Sequence, residues 1–192
     1  VERGGKPTKA PINPHNGSLA SSTDASTWGT FAEAIEACRR NTSLAGVGFV
    51  FTADDPYCGV DLDDSVDEST GQLKPWAQQI VDRLDSYTEI SPSGSGLKVF
   101  IKANKPGSRC RKAYEDGEVE IYDRDRFFTV TGNRLPSIPN EVNVRQESLE
   151  AVYSQVFGND EPGTSATPTA SRGPQPSDSG SLSLSDDEII DL

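Results

Sequence analysis

Apolar residues recur along this chain with two different periods, and the period separates candidate helices from candidate strands. Phe31, Ala34, Ile35 and Cys38 fall at i, i+3, i+4 and i+7, and Thr30-Phe31-Ala32-Glu33 supplies a capping box at their start. Pro75 suits a first helical position, and Trp76, Ile80, Val81 and Leu84 form a second stripe behind it. A third stripe, Leu149, Val152, Tyr153 and Val156, has Ser148 as its expected cap and stops at Gly158. Between the stripes lie short runs rich in β-branched and aromatic residues, at 46–51, 59–62, 86–90, 97–101, 119–122 and 127–130. This order predicts an α+β fold, a mainly antiparallel sheet with packed helices. No internal repeat interrupts it.

The pattern changes after Asn159. Pro, Gly, Ser and Thr dominate to about Ser183, and such a segment cannot bury enough apolar surface to offset its ordering entropy. Ser185-Asp186-Asp187-Glu188 is again a capping box, followed by Ile189, Ile190 and Leu192, barely one turn of helix. The expected plan is a folded domain over 1–157 with an incomplete N-terminus, a flexible linker over 158–184, and at 185–192 the start of a further helical domain cut short.

Composition narrows the chemistry. The net charge is −12, unfavourable for attracting a polyanion, but residues 158–192 carry seven acidic residues against Arg172 alone, half of the deficit. Cys38, Cys58 and Cys110 are scattered without a C-x-x-C pair, which argues against a disulfide framework and a four-ligand zinc site. They read as reduced thiols of a cytoplasmic protein. His15 is the only histidine, which excludes histidine-based zinc hydrolase motifs and disfavours a Ser-His-Asp triad. No apolar run approaches the roughly 18 residues of a membrane span, and the polar start is no signal peptide.

Three segments carry candidate chemistry. In Gly59-Val60-Asp61-Leu62-Asp63-Asp64 a strand would place Asp61 and Asp63 on one face and Val60 and Leu62 on the other. Neighbouring carboxylates repel unless hard cations neutralise them. The alternative is a solvated acidic turn; a calcium loop fits poorly, because Val66 and Gln72 stand where such a loop needs glycine and glutamate. Ser91-Pro92-Ser93-Gly94-Ser95-Gly96-Leu97-Lys98 has the small residues, hydroxyls and lysine of an anion cradle, though not the spacing of a Walker loop; by itself a plain hairpin turn explains it better. In Glu118-Val119-Glu120-Ile121-Tyr122, Glu120 faces away from two apolar neighbours and would complete a three-carboxylate site with Asp61 and Asp63. A metal pair held there would activate a hydroxyl nucleophile and stabilise a departing phosphate. Arg124 or Arg126 would answer a triphosphate's charge, the alternative being an edge strand with paired surface charges.

In this order the segments resemble the archaeo-eukaryotic primase superfamily, specifically the primase-polymerase domain of phage and plasmid replication proteins. The resemblance covers about residues 1 to 135 and is carried by Asp61 to Asp64, by Ser91 to Gly96, and most specifically by E-I-Y-D-R-x-R-F-x-T-x-T-G from Glu120 to Gly132. Lys6 to Pro11 and Gly46 to Phe49 also match. The resemblance implies an RRM-like catalytic core with Asp61, Asp63 and Glu120 as catalytic metal carboxylates for Mg²⁺ or Mn²⁺. It also implies nucleotide binding by Ser91, Ser93, Gly94, Gly96 and Lys98, with Arg126 on the triphosphate. One departure stands out. Lys98 occupies the position where the superfamily usually has histidine, and lysine binds phosphate but does not shuttle protons at neutral pH.

The activity implied is template-directed nucleotidyl transfer from (d)NTPs onto a primer, on a single-stranded DNA template, in the cytoplasm of a phage or plasmid host. A downstream helicase or accessory domain would follow the linker. Two alternatives remain: a primase-like nucleic-acid-binding module without catalysis, for which the acidity and Lys98 speak, and a metal-dependent nucleotide phosphohydrolase.

Overall fold

The computed structural model describes residues 9–158, together with the backbone of residues 2–3 and 6–7. The capped segment expected at 185–192, and all of the expected linker beyond Gly158, lie outside the described residues. In the N-terminal segment, β1 (Glu2–Arg3) pairs antiparallel with β2 (Lys6–Pro7). A second compact unit, Pro11–Asp160, holds every element described below. No helix among the described residues is long and apolar enough to cross a membrane.

Five strands form the main sheet: β4 (Tyr57–Asp63), β5 (Thr88–Ile90), β6 (Leu97–Lys102), β7 (Arg111–Tyr114) and β8 (Gly117–Tyr122). Their order is β5-β6-β4-β8-β7 and every pairing is antiparallel. Antiparallel sheets are free to cover one face and open the other, and strict alternation in the three inner strands decides which. Cys58, Val60 and Leu62 of β4, Leu97, Val99 and Ile101 of β6, and Val119 and Ile121 of β8 are all 0% exposed. They pack against two helices, α2 (Pro75–Leu84) through Trp76, Ala77, Ile80, Val81 and Leu84, and α3 (Gln146–Phe157) through Leu149, Val152, Tyr153, Val156 and Phe157. Both helical stripes read from the sequence therefore form the core, and the α+β expectation holds.

On the opposite face a two-stranded sheet, β3 (Val47–Phe51) with β9 (Arg126–Val130), covers one end only. Phe51, Phe100 and Phe128 meet there as a second buried cluster. Gly59 of β4 lies under these rings: a Cβ at this position would sit 2.4 Å from Phe128 and 2.5 Å from Phe51. The aromatic cover leaves the Asp63 end of β4 open.

Three local expectations are corrected. Ser148 does not cap α3; the first helical bond runs from Leu149 N–H to the Arg145 carbonyl, so Ser148 already lies inside the first turn. β7 was not anticipated, because Arg-Lys-Ala-Tyr has no apolar alternation and its residues are largely exposed on a sheet edge. α1 (Phe31–Arg40) forms with the expected capping box between Thr30 and Glu33, yet none of its residues is buried and Phe31 is 71% exposed.

The contact at Gly59 yields a test. The Phe51 and Phe128 rings are fully enclosed and cannot retreat cheaply, so Gly59→Ala is expected to destabilise the protein by about 1–3 kcal/mol, the usual cost of overpacking. Urea unfolding measures it; an unchanged midpoint would show that the rings are not fixed where described.

Candidate functional site

The register of the main sheet sets one charged residue from each strand in a single row: Glu89 opposite Lys98, Lys98 opposite Asp61, Asp61 opposite Glu120, and Glu120 opposite Arg111. One step along, Asp63 stands opposite Glu118. All these positions alternate with the core residues of their strands, so they share the face away from α2 and α3. Two successive cross-strand pairs, Asp61 with Glu120 and Asp63 with Glu118, thus oppose like charges, an arrangement that costs stability unless compensated.

Cations compensate it. Lys98 donates from Nζ to Asp61 Oδ2 and lies 4.5 Å from the centre of the Phe128 ring. Arg126 Nη2 donates to Glu120 Oε2 at 3.0 Å, with its guanidinium 4.8 Å from the Tyr122 ring. Arg111 spans two carboxylates, Nη2 lying 2.8 Å from Glu118 Oε1 and Nε 3.4 Å from Glu120 Oε1. Arg124, the other arginine considered from the sequence, pairs instead with its neighbour Asp123. Glu120 is not on an edge strand, since β8 lies between β4 and β7.

The expected trio of Asp61, Asp63 and Glu120 shares one face, but the carboxylates that converge are Asp63, Glu118 and Glu120, whose oxygens lie within 4.8 Å of one another. Asp61 sits beside them and turns Oδ2 to Lys98. Three or four carboxylates on an open face form the donor set of a hard cation such as Mg²⁺ or Mn²⁺, so the residues fit that group. Glu118 was not singled out from the sequence. The signal was present, because Glu118 and Glu120 repeat the two-residue spacing of Asp61 and Asp63. An open depression of about 520 Å³ lined by Asp63, Asp64, Glu115, Asp116, Gly117 and Glu118 gives access from solvent.

The serine-glycine segment joins the same site. It links β5 to β6, and Gly96 packs so closely that a Cβ would lie 2.9 Å from the Leu62 carbonyl and 3.4 Å from Asp63 Oδ1. Its hydroxyls form a chain, Ser91 Oγ to Ser93 Oγ at 2.8 Å and Ser93 Oγ to Ser95 Oγ at 3.1 Å. The Ser91 N–H bonds to the Gly96 carbonyl and the Gly94 N–H to the Ser91 carbonyl, with Gly94 at φ 82°, so these two donors close the turn. The N–H groups of Ser93, Ser95 and Gly96 donate to no acceptor among the described residues. Gly94 therefore shapes the loop, and the Ser93, Ser95 and Gly96 N–H groups are not used in closing it.

Glu89 is a further residue that the motifs did not mark. It is fully buried and accepts from Tyr87 Oη at 2.6 Å, from the Thr131 N–H at 2.6 Å and from the Gly132 N–H at 3.0 Å. A buried carboxylate needs such donors. Here they tie the end of the third motif to the strand that leads into the serine loop. The signal lay in its place between the inward-facing Thr88 and the partly covered Ile90.

Over 127 residues the chain is 42% identical to a DNA primase-polymerase of Nitratiruptor phage NrS-1, an overlap of 65% of this chain. The chain spans 18% of that relative's length. No family model matches it. The similarity is therefore to one part of that phage protein.

Electrostatics at the site supply a second test. Burial of its carboxylate, followed by the neighbouring Asp61 charge, raises the Asp63 pKa above the ordinary aspartate value. A raised folded-state pKa means that ionising Asp63 works against folding: its penalty is absent below the ordinary value, grows between the ordinary and the raised value, and is constant above it. Asp63→Asn removes the charge, so the variant should be more stable than wild type at neutral pH, with the difference vanishing in acid. Thermal melts across this range measure it; equal stability at neutral pH would contradict the stated strain.

Proposed function

We propose that this chain is the nucleotidyl-transferring core of a DNA primase-polymerase, extending a primer on a single-stranded DNA template from (d)NTPs. The observation that carries the reading is the meeting of the carboxylates Asp61, Asp63, Glu118 and Glu120 with the serine loop at the open end of one sheet face. A lone acidic cluster is common; one placed against a loop of available N–H donors and hydroxyls suits a ligand that is both phosphorylated and metal-bound. Similarity to a phage primase-polymerase supports nucleotides and DNA as the ligand class.

Asp61, Asp63 and Glu120, joined by Glu118, would hold a pair of Mg²⁺ or Mn²⁺ ions. Bound there, such ions supply charge neutralisation for attack by a hydroxyl on a phosphoryl centre and for the departure of pyrophosphate. The serine loop, through Ser91, Ser93 and Ser95 and the N–H groups beside Gly94 and Gly96, would orient the triphosphate. Arg126, which already faces the cluster, would bind its negative charge. Lys98 tempers Asp61 from within the sheet. The chain's single histidine, His15, is engaged with the Trp28 carbonyl and Glu33, so proton transfer from the attacking hydroxyl would fall to the carboxylates or to solvent. A downstream helicase or accessory domain remains the partner proposed for the segment beyond 158.

One observation favours a second reading, a primase-like module that binds nucleic acid without catalysis: one oxygen of Asp61, Oδ2, is already engaged by Lys98. Primer extension on a single-stranded template with dNTPs and Mn²⁺ or Mg²⁺ separates the two. The nucleotidyl-transfer reading expects extension by wild type and a loss of at least about a hundredfold in Asp61→Ala/Asp63→Ala and in Glu120→Ala, since each carboxylate supports several kcal/mol of charge stabilisation. DNA binding without extension by the folded wild type would favour the binding module.

A further inference from the structure

The three cations that offset the carboxylates are held with unequal strength. Lys98 has a side chain only 8% exposed and is enclosed with Asp61, so separating that pair strands charge inside the protein. Arg126 is 21% exposed and lies over Tyr122. Arg111 is 48% exposed, and it reaches two carboxylates at once, Glu118 and Glu120. The guanidinium itself is open to water, so withdrawing it costs little at the arginine, while Glu118 and Glu120, 24% and 5% exposed, are left needing another cation. Its strand, β7, forms the edge of the sheet, so the guanidinium leaves the cluster for solvent without crossing another strand.

A divalent cation brings twice the charge of a guanidinium to the same oxygens. Both cannot occupy them without repulsion, and the half-exposed arginine is the partner that yields. A displaced guanidinium beside bound cations then faces excess positive charge and is stabilised by an anion. Its planar fork suits phosphate oxygens better than a point charge does. We propose that Arg111 is an exchangeable counter-cation: it pairs with Glu118 and Glu120 in the metal-free protein, releases them when divalent cations enter, and then contacts the phosphates of the incoming nucleoside triphosphate. This rests on the metal-dependent reading of the cluster. Arg111 lies outside all three sequence motifs and reaches the site only through the pairing of β7 with β8.

The exchange gives Arg111 effects of opposite sign on two ligands, which a merely structural arginine would not. Wild type, Arg111→Ala and Arg111→Lys, each shown to be folded by circular dichroism, are titrated with Mn²⁺ alone by electron paramagnetic resonance. They are then titrated, in saturating Mn²⁺, with a non-hydrolysable deoxynucleoside triphosphate and separately with a short single-stranded oligonucleotide. Arg111→Ala is expected to bind Mn²⁺ about five- to tenfold more tightly, having lost a competing charge. It is expected to bind the triphosphate about tenfold more weakly, with Arg111→Lys intermediate in both. Unchanged or weakened Mn²⁺ binding in Arg111→Ala, unchanged triphosphate binding, or a loss confined to the oligonucleotide would overturn the proposal. Failure of the folded wild type to bind Mn²⁺ would instead contradict the metal site itself, and the exchange with it.

Discussion

Like charges set directly opposite one another on neighbouring strands repel, and this sheet does so twice in succession, with Asp61 against Glu120 and Asp63 against Glu118. Each such pair costs on the order of a few tenths of a kcal/mol up to 1 kcal/mol in an ordinary sheet, and more where water is partly excluded. The molecule carries this strain on the central strand of its main sheet. Strand β4 is bonded on both sides, to β6 and to β8, and its other face is locked to α2 and α3 by Cys58, Val60 and Leu62. The carboxylates cannot move apart without breaking that core. Compensation must come from cations brought to them, and Lys98, Arg111 and Arg126 are the side chains that come.

The rest of the fold determines where compensation is permanent and where it is exchangeable. Phe51, Phe100 and Phe128 close one end of the face over Gly59, and Lys98 lies under Phe128, so the Lys98–Asp61 pair is part of the interior. Towards Asp63 the face opens, and there the serine loop and the edge strand β7 bring groups of higher exposure. Glu89, clasped by Tyr87, Thr131 and Gly132, joins β5 to the end of the third motif and steadies the loop that follows. The result is a polar site whose inner half is fixed by the aromatic cluster and whose outer half is accessible to ions and phosphates.

Much of this was legible in the residues. The apolar stripes of α2 and α3 and the alternation in β4, β6 and β8 are strong periodic signals, and they fix which face is core and which carries Asp61, Asp63 and Glu120. Cross-strand register is not a local property, so no reading of single segments brings Glu118 opposite Asp63 or Arg111 opposite Glu120. β7 went unseen because an exposed edge strand has no apolar period to reveal it. Lys98 was read as a phosphate ligand from its place after the glycines; its neighbour across the sheet, Asp61, could be known only once β4 and β6 were paired. α1 shows the converse, an amphipathic stripe and a formed capping box on a helix that buries nothing among the described residues.

On the proposed reading, this carboxylate face holds divalent cations. Its most direct test is X-ray diffraction from crystals soaked in Mn²⁺, with anomalous difference maps collected at the manganese edge. The account predicts a peak bounded by Asp63, Glu118 and Glu120, at the open end of β4 and beside Gly96. Well-ordered carboxylates still paired to Lys98, Arg111 and Arg126, with no manganese among them at saturating concentration, would contradict it.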